Sequence, residues 1–85
     1  MNAKATAAFW ACFDRLPADV QQLARDKYGL WQRDPFHPSL HFKELVPGLW
    51  SVRINLSYRA PGRRKDDEVV WFWIGTHAEY DRLLA

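Results

Sequence analysis

The segment WSVRINLSYR, residues 50–59, decides the fold of this chain, because its apolar and polar side chains alternate strictly. A period of two is typical of a β-strand that has one buried face and one polar face. The turn-forming side chains in the middle of the segment leave two structures open, one long strand or a hairpin centred on Leu56. In a single strand Arg53 and Arg59 would lie roughly 20 Å apart, at about 3.3 Å per residue, whereas in the hairpin they would face each other.

Downstream of this segment, the sequence predicts a loop, a buried strand and a short helix. Residues 61–67 contain Pro, Gly and a run of charges, which indicates a loop. Residues 69–74 are apolar without alternation, as expected of a central strand that is covered on both faces. Thr76 and Glu79 have the spacing of a capping box, so residues 77–84 should form a helix.

Upstream of the segment, the hydrophobic period is that of a helix. In residues 5–16 apolar side chains recur at i, i+4 and i+7, and we expect the residues at the very N-terminus to be helical as well. Pro17 ends this helix and can serve as an early position of a second amphipathic helix, which extends to about Trp31. The two segments predict a helical hairpin, after which Pro35 and Pro38 favour extended backbone at the residues that precede them.

The composition of the 85-residue chain fits one compact domain over residues 1–85. Hydrophobic residues make up 48% and charged residues 26%, which is enough apolar material for a core. The core of so short a chain needs reinforcement, and five Trp, five Phe and three Tyr supply large buried areas.

The single cysteine, the N-terminal segment and the net charge bear on the location and the partners of the protein. Cys12 is the only cysteine, so no internal disulfide can form, and a reducing compartment fits best. The N-terminal apolar run spans only about ten positions before Asp14 and Arg15, which is too short for a signal peptide or a membrane span. We therefore expect a cytoplasmic protein without membrane association. The net charge of +2 is modest, so nucleic-acid binding would depend on local charge placement.

Two arginines are the first candidates for a functional site. If the hairpin forms, Arg53 and Arg59 face each other and repel, unless a polyanion compensates. Phosphate is a natural candidate, because its oxygens match the guanidinium fork. The alternative is a solvated strand face on which the arginine stems pack over aromatic rings. Lys43 alternates onto the same face and could add to the charge, or it is an ordinary surface lysine.

Four further positions carry titratable or aromatic side chains. His77 is expected where the last strand meets the last helix, and it could exchange protons near neutral pH, or only occupy the first turn of the helix. Tyr80 should share its helix face, with packing against the sheet as the alternative. His41 alternates onto the side of Lys43 and is a weaker site candidate, whereas His37 is expected to be part of the loop. No acidic cluster accompanies these histidines, so we expect no metal site.

Arg63 and Arg64 are further candidates for binding an anionic substrate. They belong to a basic run that the acidic residues 66–68 follow directly, so the long-range fields of the two groups largely cancel. The alternative is a charged turn without a function.

Four stretches of this sequence together resemble the RelE/ParE toxin superfamily. They are SLHFKEL at residues 39–45, WSVRI at 50–54, YRA at 58–60 and VWFWIGTH at 70–77. No single motif is very specific, but the combination is, and the likeness extends from about Phe9 to Leu84. It implies an α+β fold in which two N-terminal helices pack on a small, mainly antiparallel, twisted sheet, with a short C-terminal helix. It also favours the hairpin over the single long strand.

The resemblance implies a chemistry as well. The nuclease members of this superfamily cut mRNA in the ribosomal A site without a metal or other cofactor, by attack of the ribose 2′-hydroxyl on the neighbouring phosphate. By similarity, Arg53 and Arg59 would hold that phosphate and Lys43 would add positive charge. His77 resembles the terminal histidine that serves some members as the general acid, and Tyr80 would substitute for, or assist, the terminal aromatic hydroxyl of the family.

Two departures from the family pattern leave parts of this chemistry open. Nuclease members often have His and Tyr adjacent in the C-terminal region, or an Arg there, whereas here two residues separate His77 from Tyr80. Where another member has a carboxylate base, this chain has Leu40, with His41 beside it. The resemblance therefore does not identify the proton acceptor.

The resemblance also implies partners. A toxin of a bacterial type II toxin–antitoxin system would bind a cognate antitoxin, and a nuclease member would bind the ribosome and mRNA. ParE-like members share the scaffold and inhibit DNA gyrase without cutting RNA, so the fold alone leaves both activities open. A third possibility is an inactive toxin-like domain that only binds a partner.

Overall fold

The computed structural model describes residues 1–84 and has the predicted α+β architecture. The helices are α1 (Ala7–Asp14), α2 (Ala18–Arg33) and α3 (His77–Leu84), with a 3-10 helix at Pro38–Leu40. The strands are β1 (Asn2–Ala5), β2 (Lys43–Val46), β3 (Leu49–Arg53), β4 (Tyr58–Lys65), β5 (Glu68–Trp71) and β6 (Gly75–Thr76).

The strands form one mixed sheet. Its order is β1-β5-β4-β3-β2, and β6 pairs with the first part of β4. Every pairing is antiparallel except that of β1 with β5. The sheet is therefore mainly antiparallel, as the resemblance predicted.

The alternating segment forms the hairpin and not the single strand. β3 and β4 are antiparallel, with Arg53 directly opposite Arg59. The turn is stabilised by the side chain of Asn55, whose Oδ1 accepts the backbone N–H of Ser57 at 2.7 Å and of Tyr58 at 2.9 Å. An Asn side chain that bonds the backbone two and three residues later is a common turn-forming device, and it explains why the chain reverses here.

The prediction of a helical N-terminus was wrong. Residues 2–5 form β1, and α1 begins only after Thr6, whose hydroxyl accepts the N–H of Phe9 at 3.1 Å. Ala and Lys carry no strong signal against a helix, so the preference was decided by tertiary pairing with β5, which local periodicity does not reveal.

The predicted loop at residues 61–67 was also wrong. β4 continues to Lys65, and the turn to β5 consists of Asp66 and Asp67, the first of which has φ 55°. Gly62 marks close packing here: a Cβ at this position would lie 2.7 Å from side-chain atoms of both Trp71 and Val69. A glycine in a strand often marks such a close approach.

The buried core lies between α1, α2 and one face of the sheet. β5 is shorter than predicted and ends at Trp71, although Ile74 beyond it is still only 3% exposed. The members of the core cluster come from both helices, the 3-10 helix and the sheet; they include Phe13, Ala24, Trp31, Leu40, Val52, Ala60, Val69 and Trp71.

Candidate active site

Alternation along the strands gives the sheet two different faces. The face that packs on α1 and α2, here called the apolar face, carries Val52, Ala60, Val69 and Trp71. The opposite face, here called the basic face, carries Lys43, Arg53, Arg59 and Arg63, because Lys43 pairs with Ser51, Arg53 with Arg59, and Leu49 with Arg63. The predicted site residues on the sheet can therefore be sorted by face.

A row of cationic and imidazole side chains crosses the basic face. Arg53 and Arg59 are cross-strand partners, and His41 lies two residues before Lys43, where β2 begins and pairs with Ser51 of β3. The surroundings of His41 agree with this position: partial desolvation, then the charges of Arg53, Arg59 and Lys43, lower the pKa of its imidazole. The structure thus brings four predicted residues together.

Arg59 occupies the most constrained position of this row. It is half-buried, and its Nη1 is buried without a hydrogen-bond partner among the described residues. Burial, followed by the charge of Arg53, lowers the pKa of its guanidinium, while Tyr80 and Asp81 act in the opposite direction. A buried N–H without an acceptor is costly, so Nη1 of Arg59 is an unsatisfied donor within residues 1–84, as is Nε1 of Trp31 in the core.

The start of α3 is held against the tip of the hairpin. The backbone N–H of His77 donates to the carbonyl of Ser57 at 2.6 Å. Thr76 and Glu79 form the predicted capping box: the Thr76 N–H and hydroxyl donate to the Glu79 carboxylate, and the Glu79 N–H donates to the Thr76 hydroxyl. These contacts fix His77 at the edge of the sheet, next to β4.

The side chains on α3 link His77 to the arginine row. His77 Nε2 lies 3.3 Å from Asp81 Oδ1, and the ring centroids of His77 and Tyr80 are 6.2 Å apart. Tyr80 is only 8% exposed, so it packs against the fold and its ring is not free at the surface. Asp81 also acts on the charge of Arg59, so its carboxylate influences both the imidazole and the guanidinium.

Asp81 was missed by the sequence analysis. The signal that could have found it is its i, i+4 spacing from His77, which places the two side chains on one helix face. Its proximity to Arg59 depends on how α3 docks on the sheet, and no local pattern shows that.

Two predicted residues lie apart from this row. Arg63 is on the basic face but four positions along β4 from Arg59, roughly 13 Å at about 3.3 Å per residue, and it lies over the ring of Phe72 at 5.4 Å. Arg64 is turned towards the apolar side, over the ring of Trp50 at 4.6 Å. The structure therefore does not bring Arg64 to the arginine pair, because neighbouring residues of a strand face opposite ways.

His37 has a local structural role. Its Nδ1 accepts the N–H of Ser39 at 3.2 Å and so caps the 3-10 helix. Within residues 1–84 no group of three or more His, Cys, Asp or Glu side chains is placed to hold a metal ion. None of the helices described is long and apolar enough to cross a membrane.

An apolar cavity of about 350 Å³ lies on the other side of the sheet. It is lined by residues of α1, α2 and the apolar face, among them Phe9, Trp31, Val52 and Ala60. It belongs to the packing between the helices and the sheet, and the cationic row lies on the face turned away from it.

Comparisons with known proteins give matches at the level of structure. No protein-family model matches the sequence, and no curated protein is significantly similar to it. A YoeB/ParE toxin from Agrobacterium tumefaciens superimposes with a TM-score of 0.70 at 21% identity, covering 91% of this chain and 99% of that chain.

Two toxin–antitoxin complexes give similar results. A chain of the RelB-RelE antitoxin-toxin complex from Methanococcus jannaschii matches with a TM-score of 0.76 at 9% identity, covering 96% of this chain and 99% of that chain. The RelBE2 complex from Mycobacterium tuberculosis contains a chain that matches with a TM-score of 0.71 at 21% identity, with coverages of 89% and 96%. At these identities the matches establish the fold, which is the one that the resemblance predicted.

Proposed function

We propose that this chain, which has the RelE/ParE fold, is the toxin of a type II toxin–antitoxin pair and cleaves mRNA on the ribosome without a metal. The single observation that carries the proposal is the arginine pair. Two guanidinium groups face each other on one surface, and one of them has a buried Nη1 without an acceptor among residues 1–84. A phosphate oxygen would relieve both the repulsion and the missing hydrogen bond.

The surroundings of the pair fit cleavage by a ribose 2′-hydroxyl. In that reaction negative charge grows on the phosphate oxygens, where fixed cations give their largest effect. Arg53 and Arg59 would hold these oxygens, with Lys43 adding positive charge from β2. His77, in its protonated form, would give a proton to the leaving 5′ oxygen, and Asp81 would stabilise the charge of that imidazolium.

The roles of the remaining predicted residues differ in kind. Tyr80 would act by packing beside His77 and Arg59, because its side chain is almost fully buried. Arg63 would contact RNA that extends along β4, with its guanidinium already placed over the ring of Phe72. Arg64 would take part only through its contact with Trp50.

The antitoxin is the second partner that we propose. The M. jannaschii and M. tuberculosis neighbours come from toxin–antitoxin complexes. Because Lys43, Arg53, Arg59 and Arg63 share the basic face, an antitoxin segment with acidic side chains would find its complement there and would block the access of RNA. The same cations would bind the ribosome through its RNA phosphates, so we expect the cleavage activity to fall as the salt concentration rises.

Expression of the wild type and of two arginine variants in a bacterial host tests the proposal. The wild type should stop translation and leave new 5′ ends in cellular mRNA, detected by primer extension. Arg59→Ala should lower cleavage by roughly 10²–10³-fold, as for the loss of one donor to a developing oxyanion. Arg33→Ala, at an exposed position at the end of α2, is the matched control and should cleave like the wild type.

Three results would contradict the nuclease assignment. Intact mRNA together with a DNA-damage response would favour inhibition of gyrase instead. Harmless expression of the wild type in the absence of antitoxin would favour an inactive binding domain. Equal cleavage by the wild type and Arg59→Ala would remove the arginine pair from the reaction.

A further inference from the structure

We infer that His41 is the proton acceptor of the cleavage reaction, taking the proton of the attacking 2′-hydroxyl. The inference rests on the proposed function and supplies the group that the resemblance left open. In this role His41 takes part in proton transfer, whereas from the sequence alone it was only a weaker candidate for the site.

The position of His41 is the first support. His41 lies two residues before Lys43, the residue of β2 that pairs with Ser51, and the charges of Arg53 and Arg59 both act on its imidazole. Arg53 in turn faces Arg59 across the hairpin. β6 flanks the other side of Arg59 and leads directly into His77. The arginine pair therefore lies between two imidazoles, one on the β2 side and one on the α3 side. Cleavage by in-line attack requires its base and its acid on opposite sides of the phosphate.

The backbone of His41 is the second support. It adopts φ 45° and ψ 41°, the left-handed region, at the end of the 3-10 helix. Its N–H donates to the carbonyl of Pro38 at 3.3 Å, and the side chain of Leu40 beside it is fully buried. A residue other than glycine rarely adopts this conformation, and such strain tends to occur at functional sites. Here the conformation leaves the imidazole exposed at the margin of the cationic row.

The charge around His41 is the third support. The titratable groups that act on it are Arg53, Arg59 and Lys43, all of them cationic. Partial desolvation, followed by these three charges, lowers the pKa of the imidazole and so favours its neutral form, in which one ring nitrogen has a free lone pair. His77 has the opposite partner, the carboxylate of Asp81. Of the two imidazoles, His41 is the one whose surroundings suit a base.

The proton balance of the step is complete. A ring nitrogen of His41 accepts the 2′-hydroxyl proton while the 2′ oxygen bonds to phosphorus. The bond from phosphorus to the 5′ oxygen breaks, and that oxygen takes a proton from His77. The products are a 2′,3′-cyclic phosphate and a 5′-hydroxyl, and solvent returns both imidazoles to their starting states. No co-reactant is needed.

Single-turnover cleavage of mRNA on programmed ribosomes, followed over pH, tests the inference. In His41→Asn, the new side chain tolerates the left-handed backbone and cannot act as a base. We expect it to lower the cleavage rate by roughly 10²–10⁴-fold, with an unchanged Kd for the ribosome. The wild-type rate should rise with pH through a midpoint below the ordinary histidine value of about 6.5, and this acid limb should vanish in the variant.

Two more variants distinguish whether His41 acts as a base or only as a cation that binds the substrate. His41→Gly also fits the left-handed backbone, and imidazole added to the buffer should restore part of its cleavage rate. His41→Lys retains a positive charge and should be as slow as His41→Asn. His37→Asn keeps a capping acceptor in the neighbouring loop and serves as the matched histidine control, with the rate of the wild type.

The outcomes distinguish the inference from the proposed function. If the wild type cleaves and His41→Asn cleaves equally fast, the inference fails and the nuclease assignment stands. Full activity of His41→Lys would identify a binding cation and would also overturn the inference. If the wild type leaves the mRNA intact, the proposed function fails before any variant is compared.

Discussion

The two faces of the β3–β4 hairpin differ at its end nearest the turn, although they are formed by alternate residues of the same strands. On the apolar face Val52 and Ala60 are 6% and 3% exposed and pack into the core. On the basic face their sequence neighbours Arg53 and Arg59 lie opposite each other, and neither forms an ion pair with a carboxylate among residues 1–84. Stability and the proposed chemistry are therefore separated by a single step along the strand.

This difference teaches where each kind of substitution should act. A change on the apolar face removes contacts with the helices and should lower the free energy of unfolding. A change on the basic face removes a charge that is repelled by its cross-strand neighbour, so it should affect activity and leave the fold intact or slightly more stable. The following predictions test that contrast, beginning with the largest effect.

Replacing Trp71 should affect stability most. Its ring lies 5.5 Å from that of Trp31 and 6.3 Å from that of Phe42, and it is 6% exposed. We expect Trp71→Ala to lower the free energy of unfolding by about 3–5 kcal/mol, as for other large-to-small core changes. Urea denaturation followed by circular dichroism measures it. An equal loss in Arg59→Ala would break the contrast between the two faces.

Gly62 tests how closely the apolar face is packed. Because an added Cβ would lie 2.7 Å from atoms of Trp71 and Val69, we expect Gly62→Ala to destabilise the fold by about 1–3 kcal/mol. Gly29 in α2 is the matched control, since the nearest atom to its added Cβ is 3.7 Å away. Gly29→Ala should be stabilising by up to about 1 kcal/mol, because alanine favours a helix. The same sign for both variants in thermal unfolding would contradict this packing.

The capping box connects stability with the position of His77. Thr76→Ala should lower the free energy of unfolding by about 1 kcal/mol, as for other lost N-caps, and should loosen the start of α3. Hydrogen bonds from Thr76 lower the pKa of Glu79. Its contribution is therefore present above the ordinary pKa of a glutamate and is lost as pH falls through the lower, folded-state value. Unfolding curves between pH 7 and pH 3 should show a smaller acid loss in the variant.

The smallest effect concerns the repulsion within the arginine pair. Arg53→Gln should raise the free energy of unfolding by a few tenths of a kcal/mol at low salt, because cross-strand like charges are destabilising. The gain should shrink at high salt, where the charges are screened, while the cleavage rate falls. Arg33→Gln, in the last turn of α2, should show no such gain. A stabilisation that does not depend on salt would mean that repulsion is not the cause.

Much of this fold could be predicted from local patterns. Strict alternation predicted β-structure at residues 50–59 and left a single strand or a hairpin open, and the family resemblance favoured the hairpin that is present. The spacing of Thr76 and Glu79 predicts α3 with the bounds that it has. These features depend on residues that are close in sequence, so a short stretch of sequence contains the whole pattern that predicts each of them.

The features that were missed depend on distant partners. β1 is a strand because β5 is available to pair with it, and Arg64 faces the apolar side because β4 extends beyond Pro61 and Gly62. In the candidate site, too, contacts between distant residues were missed. The arginine pair was predictable from the hairpin, whereas Asp81 enters it through the docking of α3, which no sequence spacing encodes.

The pairing of β1 with β5 has a consequence for how the chain folds. Asn2 and Glu68 are register partners, so the outer edge of the sheet joins segments from nearly opposite ends of the polypeptide. Contacts of such long sequence separation form late, because closing a long loop is costly in entropy. We expect the helices and the β3–β4 hairpin to form early and the N-terminal residues to dock last. A growing chain on the ribosome could not complete this sheet until β5 had emerged.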